Sequence, residues 1–195
     1  MKNKPKRYPG QLLVANPNNP NDELARAVIL LVSHSNDIAI GLQINRVTDD
    51  PNNLQVISDN MGIEIPGDDP IYFGGGMVNS KVHIIHSTDW IGLSTQKIND
   101  DIAVTNDLSV LAALSRGEGP SQYRAVSGHW TWTGHDLDMS LASKVPEHSI
   151  VRHRWEIAPP TTNIIFDYDN DDQWRAALDA STRHQVNTWF NLSLG

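Results

Sequence analysis

The chain contains no cysteine. Disulfides, thiolate metal ligands, a cysteine nucleophile and thiol redox chemistry are excluded together. The absence fits a reducing compartment, and a cytoplasmic protein is the expectation. Long hydrophobic runs are missing too. None approaches the roughly 20 residues of a membrane span, so no membrane association is expected. The opening MKNKPKRYPG carries the charge of an export leader, but the next apolar run, Leu12 to Ala15, falls far short of the ~7 residues such a leader needs. Positive charge is in short supply: 15 lysines and arginines stand against 23 acidic residues, for a net charge of −8 and a pI near 5.3. Nucleic-acid binding draws on a basic face that displaces counterions. Here it would need a local patch, built from the N-terminal arm, Arg46 and the run Arg152-His153-Arg154. Phosphate-loop and nucleophile-elbow signatures (Gly-Lys-Ser/Thr, Gly-x-Ser-x-Gly) do not occur.

What is present is enough for a sizeable core: 195 residues, 39% of them hydrophobic. Residues 1–9 are basic with two prolines and read as a flexible tail, leaving 10–195 as a single domain. The organising stretch is Gly10 to Arg46. Leu12 to Ala15 is a short apolar strand. Ala27 to Val32 is six continuous apolar residues, the pattern of a strand covered on both faces. Ser33 to Asp37 is hairpin-sized. Ile38, Ile40, Leu42 and Ile44 then alternate with Ala39, Gly41 and Gln43, so one face is bulky and the other open to close approach. This alternation predicts a central strand. Further strands are expected at Ile71–Phe73, Val82–Ile85, Ile102–Thr105, Tyr123–Trp132, Ile150–Ile157 and Asn163–Phe166. Helices are expected at Leu54–Met61, Asp107–Arg116, where Gly117 is the stop, Asp136–Ala142 and Asp172–Ala180. Trp189 and Phe190 predict a C-terminal tail that docks. The order lacks steady strand–helix alternation, so the class is α+β.

Several blocks in order then carry a resemblance. They are Gly10-Gln11-Leu12-Leu13-Val14-Ala15-Asn16-Pro17; Asp22, Arg26, Val28-Ile29-Leu30 and His34; Gly41-Leu42 with Ile44-Asn45-Arg46; Ile71-Tyr72-Phe73-Gly74-Gly75; Val82 to His86-Ser87; and Ile102 to Thr105 with Leu108 and Leu111. Together with Trp155 and the Phe166…Trp174…Ala177-Leu178 ending, they resemble the bacterial AlgH/YqgE family over roughly residues 10–180. This chain departs from the family pattern at Leu24, Ala27, Gly76 and the Ser127–His135 segment, so His129 and His135 are its own. The resemblance implies intertwined mixed β-sheets with flanking helices. Members are named as transcriptional regulators and have no established catalytic residues. A regulator acting through protein or small-molecule contacts is therefore the leading expectation. Direct nucleic-acid binding and a small-molecule or metal-dependent enzyme are the alternatives.

Individual residues sharpen this little. Gly74-Gly75-Gly76 reads as an anion-binding nest or as a close backbone crossing. His83 and His86, three apart on a strand, face opposite sides and cannot share one ion. Asp167, Asp169 and Asp171 have calcium-loop spacing but lack its glycine and glutamate; charge at a helix start suits them better. Trp130, Trp132 and Trp155 read as core or interface or as a base-stacking platform. Arg26 suggests a buried ion pair with Asp22. Among the polar residues, His34, Asn45 and Arg46 sit at strand ends and are expected to converge on one pocket with Gly74, Gly75 and His86. No catalytic residue, metal or cofactor is assigned.

Overall fold

The computed structural model describes residues 7–17, 22–48, 54–60, 62–65, 69–141 and 155–193. Strand β1 (Leu12–Ala15) leads through one 3-10 turn, Asp22–Leu24, to the hairpin β2 (Val28–His34) and β3 (Ile38–Gln43). Helix α1 (Leu54–Asn60), β4 (Ile71–Phe73), β5 (Met77–Ser87), β6 (Gln96–Lys97), β7 (Ile102–Thr105) and α2 (Ser109–Ser115) follow. Next come β8 (Tyr123–Thr133), α3 (Gly134–Leu141), β9 (Trp155–Ala158), a turn of π-helix over Asn163–Asp167, and α4 (Asn170–Ser193). The strands run in the order β6-β7-β5-β8-β3-β2-β1-β9, with β4 added beside β8. All pairs are antiparallel except β4–β8. The class is α+β, and the sheet is curled into a half-barrel.

Strand β8 makes the curl. Its first half pairs with β5, from His86 opposite Tyr123 to Val82 opposite Ser127; its second half pairs with β3, from Gly41 opposite Trp130 to Ile38 opposite Thr133. Gly128, at φ +77°, stands between the halves, and a Cβ there would meet the Gly75 carbonyl oxygen at 2.5 Å. Only glycine fits both constraints. Gly74 crosses at the same place: its N–H donates to Ser127 O at 2.7 Å, and its carbonyl accepts from Gln43 N at 2.9 Å. The triglycine is the close backbone crossing, with the Gly74 donor spent on the sheet.

Period two distributes the core. Leu12, Val14, Val28, Leu30 and Leu42 face the inside of the curl, where Ile85, Ile102, Val104 and Val126 meet them from the other half. Leu13, Ile29, Leu31 and Ala39 face outward beneath Leu137 of α3 and Trp155. Ile84 and Ala125 lie under α1 and α2 through Leu54, Val110, Leu111 and Leu114. The Ala27–Val32 run is thus covered on both faces, as expected. The small face of β3 also does what its pattern predicts: a Cβ on Gly41 would press on Ile29 and lie 3.2 Å from the Trp132 ring. Trp130, Trp132 and Trp155 are packing residues. Trp132 meets Trp155 edge-to-face at 6.5 Å and Trp130 meets Phe73 at 6.2 Å.

Some expectations are corrected. Asn163–Phe166 is a π-turn, not a strand; a short apolar run is compatible with either, and Gln173 fixes this one by donating to Ile164 O at 2.7 Å. Helix α4 runs well past Ala180. Trp189 and Phe190 do not dock; they are 64% and 53% exposed. The helix carries on because nothing breaks it, and the Arg183–Asp179 pair at i, i+4 supports the extension. Arg26 pairs with Asp171 rather than Asp22, and the pair is half-exposed, not buried. Of the expected 150–157 strand, 150–154 lie outside the described residues. Of the basic tail, residue 7 onward is described: Arg7 lies 3.7 Å from Asp138, and Tyr8 packs against the outer layer.

Among the described residues, one arginine side chain lies inside. Arg124 on β8 is 6% exposed. Its Nη1 donates to Ile44 O at 2.6 Å and to Gln173 Oε1 at 3.0 Å; its Nη2 donates to Tyr168 O at 3.0 Å and Asp169 Oδ1 at 3.1 Å. The guanidinium also stacks 4.1 Å from the Tyr72 ring, whose hydroxyl donates to Asp169 at 2.5 Å. Burial and that bond push the Tyr72 pKa up to about 12. Unpaired buried acceptors cost roughly 1–3 kcal/mol each. Arg124→Met is therefore expected to destabilise the fold by about 3 kcal/mol in urea unfolding. Asp169→Asn, which keeps an acceptor in place, should cost about 1 kcal/mol or less.

Candidate functional site

Of the residues expected to converge, Asn45, Arg46, Gly74 and Gly75 lie together at the exit of β3, where Arg46 O accepts from Phe73 N and Gly74 O from Gln43 N, while His34 is placed apart from them. His34 and Asn45 lie toward opposite ends of β3, because His34 pairs with Ala39 at its start while Asn45 follows Gln43 at its end. A six-residue strand separates such positions by about 20 Å. His86, opposite Tyr123, is nine residues along β8 from Trp132, which lies opposite Ala39. A single pocket holding His34 with the others is thus corrected: adjacency in the hairpin sequence becomes separation along the strands.

Each residue has local work. The His34 side chain is buried; its Nδ1 accepts from Tyr8 N at 3.4 Å, which leaves the proton on Nε2, 3.0 Å from Asp138 of α3. Burial pulls its pKa down, against the opposing pull of Asp138. Asn45 is a backbone crosslink. Its Oδ1 accepts from Val28 N at 2.9 Å, and its amide donates to Arg26 O at 2.8 Å and to Asn170 O at 3.3 Å. Arg26 and Asn170 both have positive φ, 57° and 48°, so Asn45 holds two left-handed bends together. Arg46 is exposed and stacks over Phe73 at 5.0 Å. Gly74 and Gly75 belong to the crossing next to it. His86 is fully buried, donates through Nδ1 to Ser87 O at 2.8 Å and packs edge-on to Trp90; burial lowers its pKa as well. Asp167, Asp169 and Asp171 point to Gln122, Arg124 and Arg26 respectively. Of the basic patch, residues 1–6 and 152–154 lie outside the described residues.

A concave site lies elsewhere, where the curled sheet closes on itself. Gln96 on the edge strand β6 donates from Nε2 to Val32 O near the end of β2 at 3.1 Å, bridging the two halves of the curl. Val32 is available because β2 slips register between Leu31 and Ser33. Behind this seam is a cleft of about 210 Å³. Its floor is the end of the interior core, Leu42 and Val104, with Ile40 beside them; Ser33, Ser94 and Asn106 ring the mouth and His83 stands in the wall. The His83 ring is edge-on to His129 at 6.1 Å. Sequence reasoning set His83 aside after the metal pairing failed. Its one usable signal was period two along the strand, which puts His83 on the same face as Ile85 of the interior core.

A curled, mainly antiparallel sheet with helices on both outer faces and a closing C-terminal helix defines the class. The chain belongs to the AlgH-like family, whose profile matches residues 12–184. It is similar to a UPF0301 protein of Methylococcus capsulatus, 32% identical over 170 residues covering 87% of this chain and 88% of the relative. It is also similar to one of Sphingopyxis alaskensis, 31% identical over 178 residues and 89% of each chain. The solution structure of the AlgH protein from Pseudomonas aeruginosa superposes with a TM-score of 0.69 at 25% identity, over 92% of both chains. A Corynebacterium diphtheriae protein shares the fold at a TM-score of 0.62, 19% identity and 89% and 86% coverage. Among the described residues, no helix is long and apolar enough to cross a membrane.

His34 and His86 set a pH dependence. Both have folded pKa values below the ordinary 6.5, so the unfolded chain binds more protons in mildly acidic solution. Stability is full above about pH 6.5 and falls as pH drops through that value toward the folded pKa values. The slope is at most about 1.4 kcal/mol per pH unit for each histidine. Urea midpoints at pH 7.5 and 5.5 should show this fall, and His86→Gln should make it shallower.

Proposed function

We propose that this protein is a regulator, acting on transcription through contacts rather than through chemistry, and that a small molecule held in the seam cleft governs those contacts. The supporting observation is the placement of the cleft. It lies between the edge strand β6 and β2, bridged by Gln96 and Val32, and opens onto the interior core. An occupant there touches β2, β3, β5, β6 and β7 together, so its differential contacts bear on how tightly the sheet closes. The polar residues elsewhere that drew attention in the sequence are engaged in holding strands and turns. Ser94 is exposed at the cleft mouth, so Ser94→Trp fills the cleft without disturbing the core. Host cells lacking this protein and complemented with Ser94→Trp should show the transcript profile of the deletion. A wild-type profile from a folded Ser94→Trp protein would reject the reading.

A second reading, contact with a protein partner through α4, is supported by one feature. Val186, Trp189 and Phe190 follow i, i+3, i+4 spacing at 46%, 64% and 53% exposure. Such a stripe is the recognition pattern of a helix laid into a groove, and large aromatics dominate interface energies. Trp189→Asp with Phe190→Asp is expected to leave the unfolding midpoint within about 0.5 kcal/mol while abolishing complementation; full complementation would remove this reading.

A further inference from the structure

We propose that the seam cleft takes a neutral, planar heteroaromatic molecule of the nucleobase class, stacked beside the His83 ring. This rests on the reading of the cleft as the ligand site and adds the identity of what it holds.

Charge makes the first selection. None of the ten residues lining the cleft is Lys, Arg, Asp or Glu. A phosphate or carboxylate ligand moved from water into such a site would lose its hydration without a fixed counter-charge, which is a large penalty. Binding by an ammonium group fails for the same reason. Phosphorylated nucleotides and free amino acids are thereby disfavoured.

Size makes the second. The volume of about 210 Å³ is roughly seven times the ~30 Å³ that a water molecule occupies in the liquid. It lies below the ~300–1,000 Å³ range of pockets for drug-sized ligands. A single or fused heterocyclic ring fits; an attached ribose would have to lie outside the mouth.

The distribution of polarity makes the third. The floor is apolar: Leu42 is fully buried and Val104 is 5% exposed. One polar residue, Thr105, is buried there with its Oγ1 accepting from Asp107 N at 3.1 Å; the other polar groups, Ser33, Ser94, Gln96 and Asn106, are partly or fully exposed, and none carries a charge. Gln96 spends its amide N–H on Val32 O, which leaves its carbonyl oxygen as an acceptor. The Asn106 amide offers both a donor and an acceptor, and the Ser33 and Ser94 hydroxyls can serve in either role. A sugar, polar on every side, matches the rim but not the floor. A plain hydrocarbon matches the floor but leaves the rim amides without partners. A nucleobase has apolar faces and an edge of alternating donors and acceptors, which is the same partition. His83 adds a flat partner: its edge-on contact with His129, 6.1 Å between centroids and 84° between planes, holds the ring plane. Base–aromatic stacking contributes about 1–3 kcal/mol.

The test is a titration of the isotope-labelled full chain, followed by NMR, with adenine and uracil as neutral bases, inorganic phosphate as an anion and cyclohexanol as an apolar probe of similar size. At least one base should shift the His83, Gln96 and Asn106 signals saturably, with a Kd below about 1 mM. Ser94→Trp should weaken that binding at least tenfold, and His83→Ala should weaken it severalfold while leaving the unfolding midpoint near wild type. Phosphate should leave the cleft signals in place. The ligand class is overturned if neither base shifts these signals, or if base binding survives Ser94→Trp unchanged. If cyclohexanol or phosphate occupies the cleft and the bases do not, the class falls while the cleft remains a ligand site. If no probe moves the cleft and Ser94→Trp complements the deletion, both fall.

Discussion

A guanidinium in an apolar strand has to be met by acceptors from every side, and in this protein those acceptors define how the pieces fit. Arg124 leaves β8 among Ala125, Val126 and Ile85, where bare charge is not tolerated. Its partners are the last carbonyl of the β3 exit, the end of the π-turn, the residue just ahead of α4 and a glutamine on α4 itself. Gln173, with no exposed surface, passes the constraint on to the π-turn carbonyls. Asp169 meets both Arg124 and the Tyr72 hydroxyl. A helix that lay elsewhere, or a sheet curled less, would leave several of these groups dry and unpaired. Asn45 acts similarly on a smaller scale, joining the two left-handed bends that precede β2 and start α4. The polar groups inside this molecule are few, and they specify geometry.

Local pattern was legible in the sequence where one face of one element decides the outcome. The alternation from Ile38 to Ile44 located β3 at the middle of the sheet. The unbroken Ala27–Val32 run marked a strand covered twice, and Gly117 marked the end of α2. Partnership across the chain was not legible. The bonds of Arg124 span 44, 45, 49 and 80 residues, and no periodicity reports such pairings. The convergence expected of His34, Asn45 and Arg46 failed for a geometric reason. Nearness along a hairpin says nothing about which end of a strand a residue occupies. The cleft was hidden for the same reason. Ser33, His83, Gln96 and Asn106 come from separate segments, and only the register of the curled sheet brings them to one mouth. The residues missed were those whose role depends on closure.

The two ends of the described sheet differ in finish. At one edge β9 is covered by α4, where Gln185 donates to Glu156 at 2.6 Å and Trp174 donates to Ala15 O at 2.8 Å. At the other, β6 is two exposed residues held across the seam by a single side-chain hydrogen bond. A net hydrogen bond of this kind contributes about 1 kcal/mol, which thermal fluctuation exceeds often. The tight edge holds the architecture and the loose edge sits where the cleft opens. This division is common in proteins that bind, since the parts that must adjust are drawn from the least stable regions.

The pairing of β1 with β9 has a further consequence for how the chain comes to exist. Leu12 lies opposite Ala158 and Ala15 opposite Trp155. A strand made earlier waits for one that follows far behind it in the chain. Until then the outer edge of β1, in the most hydrophobic stretch of the chain, has no neighbour. Contacts so distant in sequence form slowly, because the loop between them must be closed before they stabilise anything. An unpaired apolar edge in the meantime is an invitation to other chains. The nascent protein thus carries β1 half-clad until β9 has emerged, and its dependence on protection is greatest in that interval.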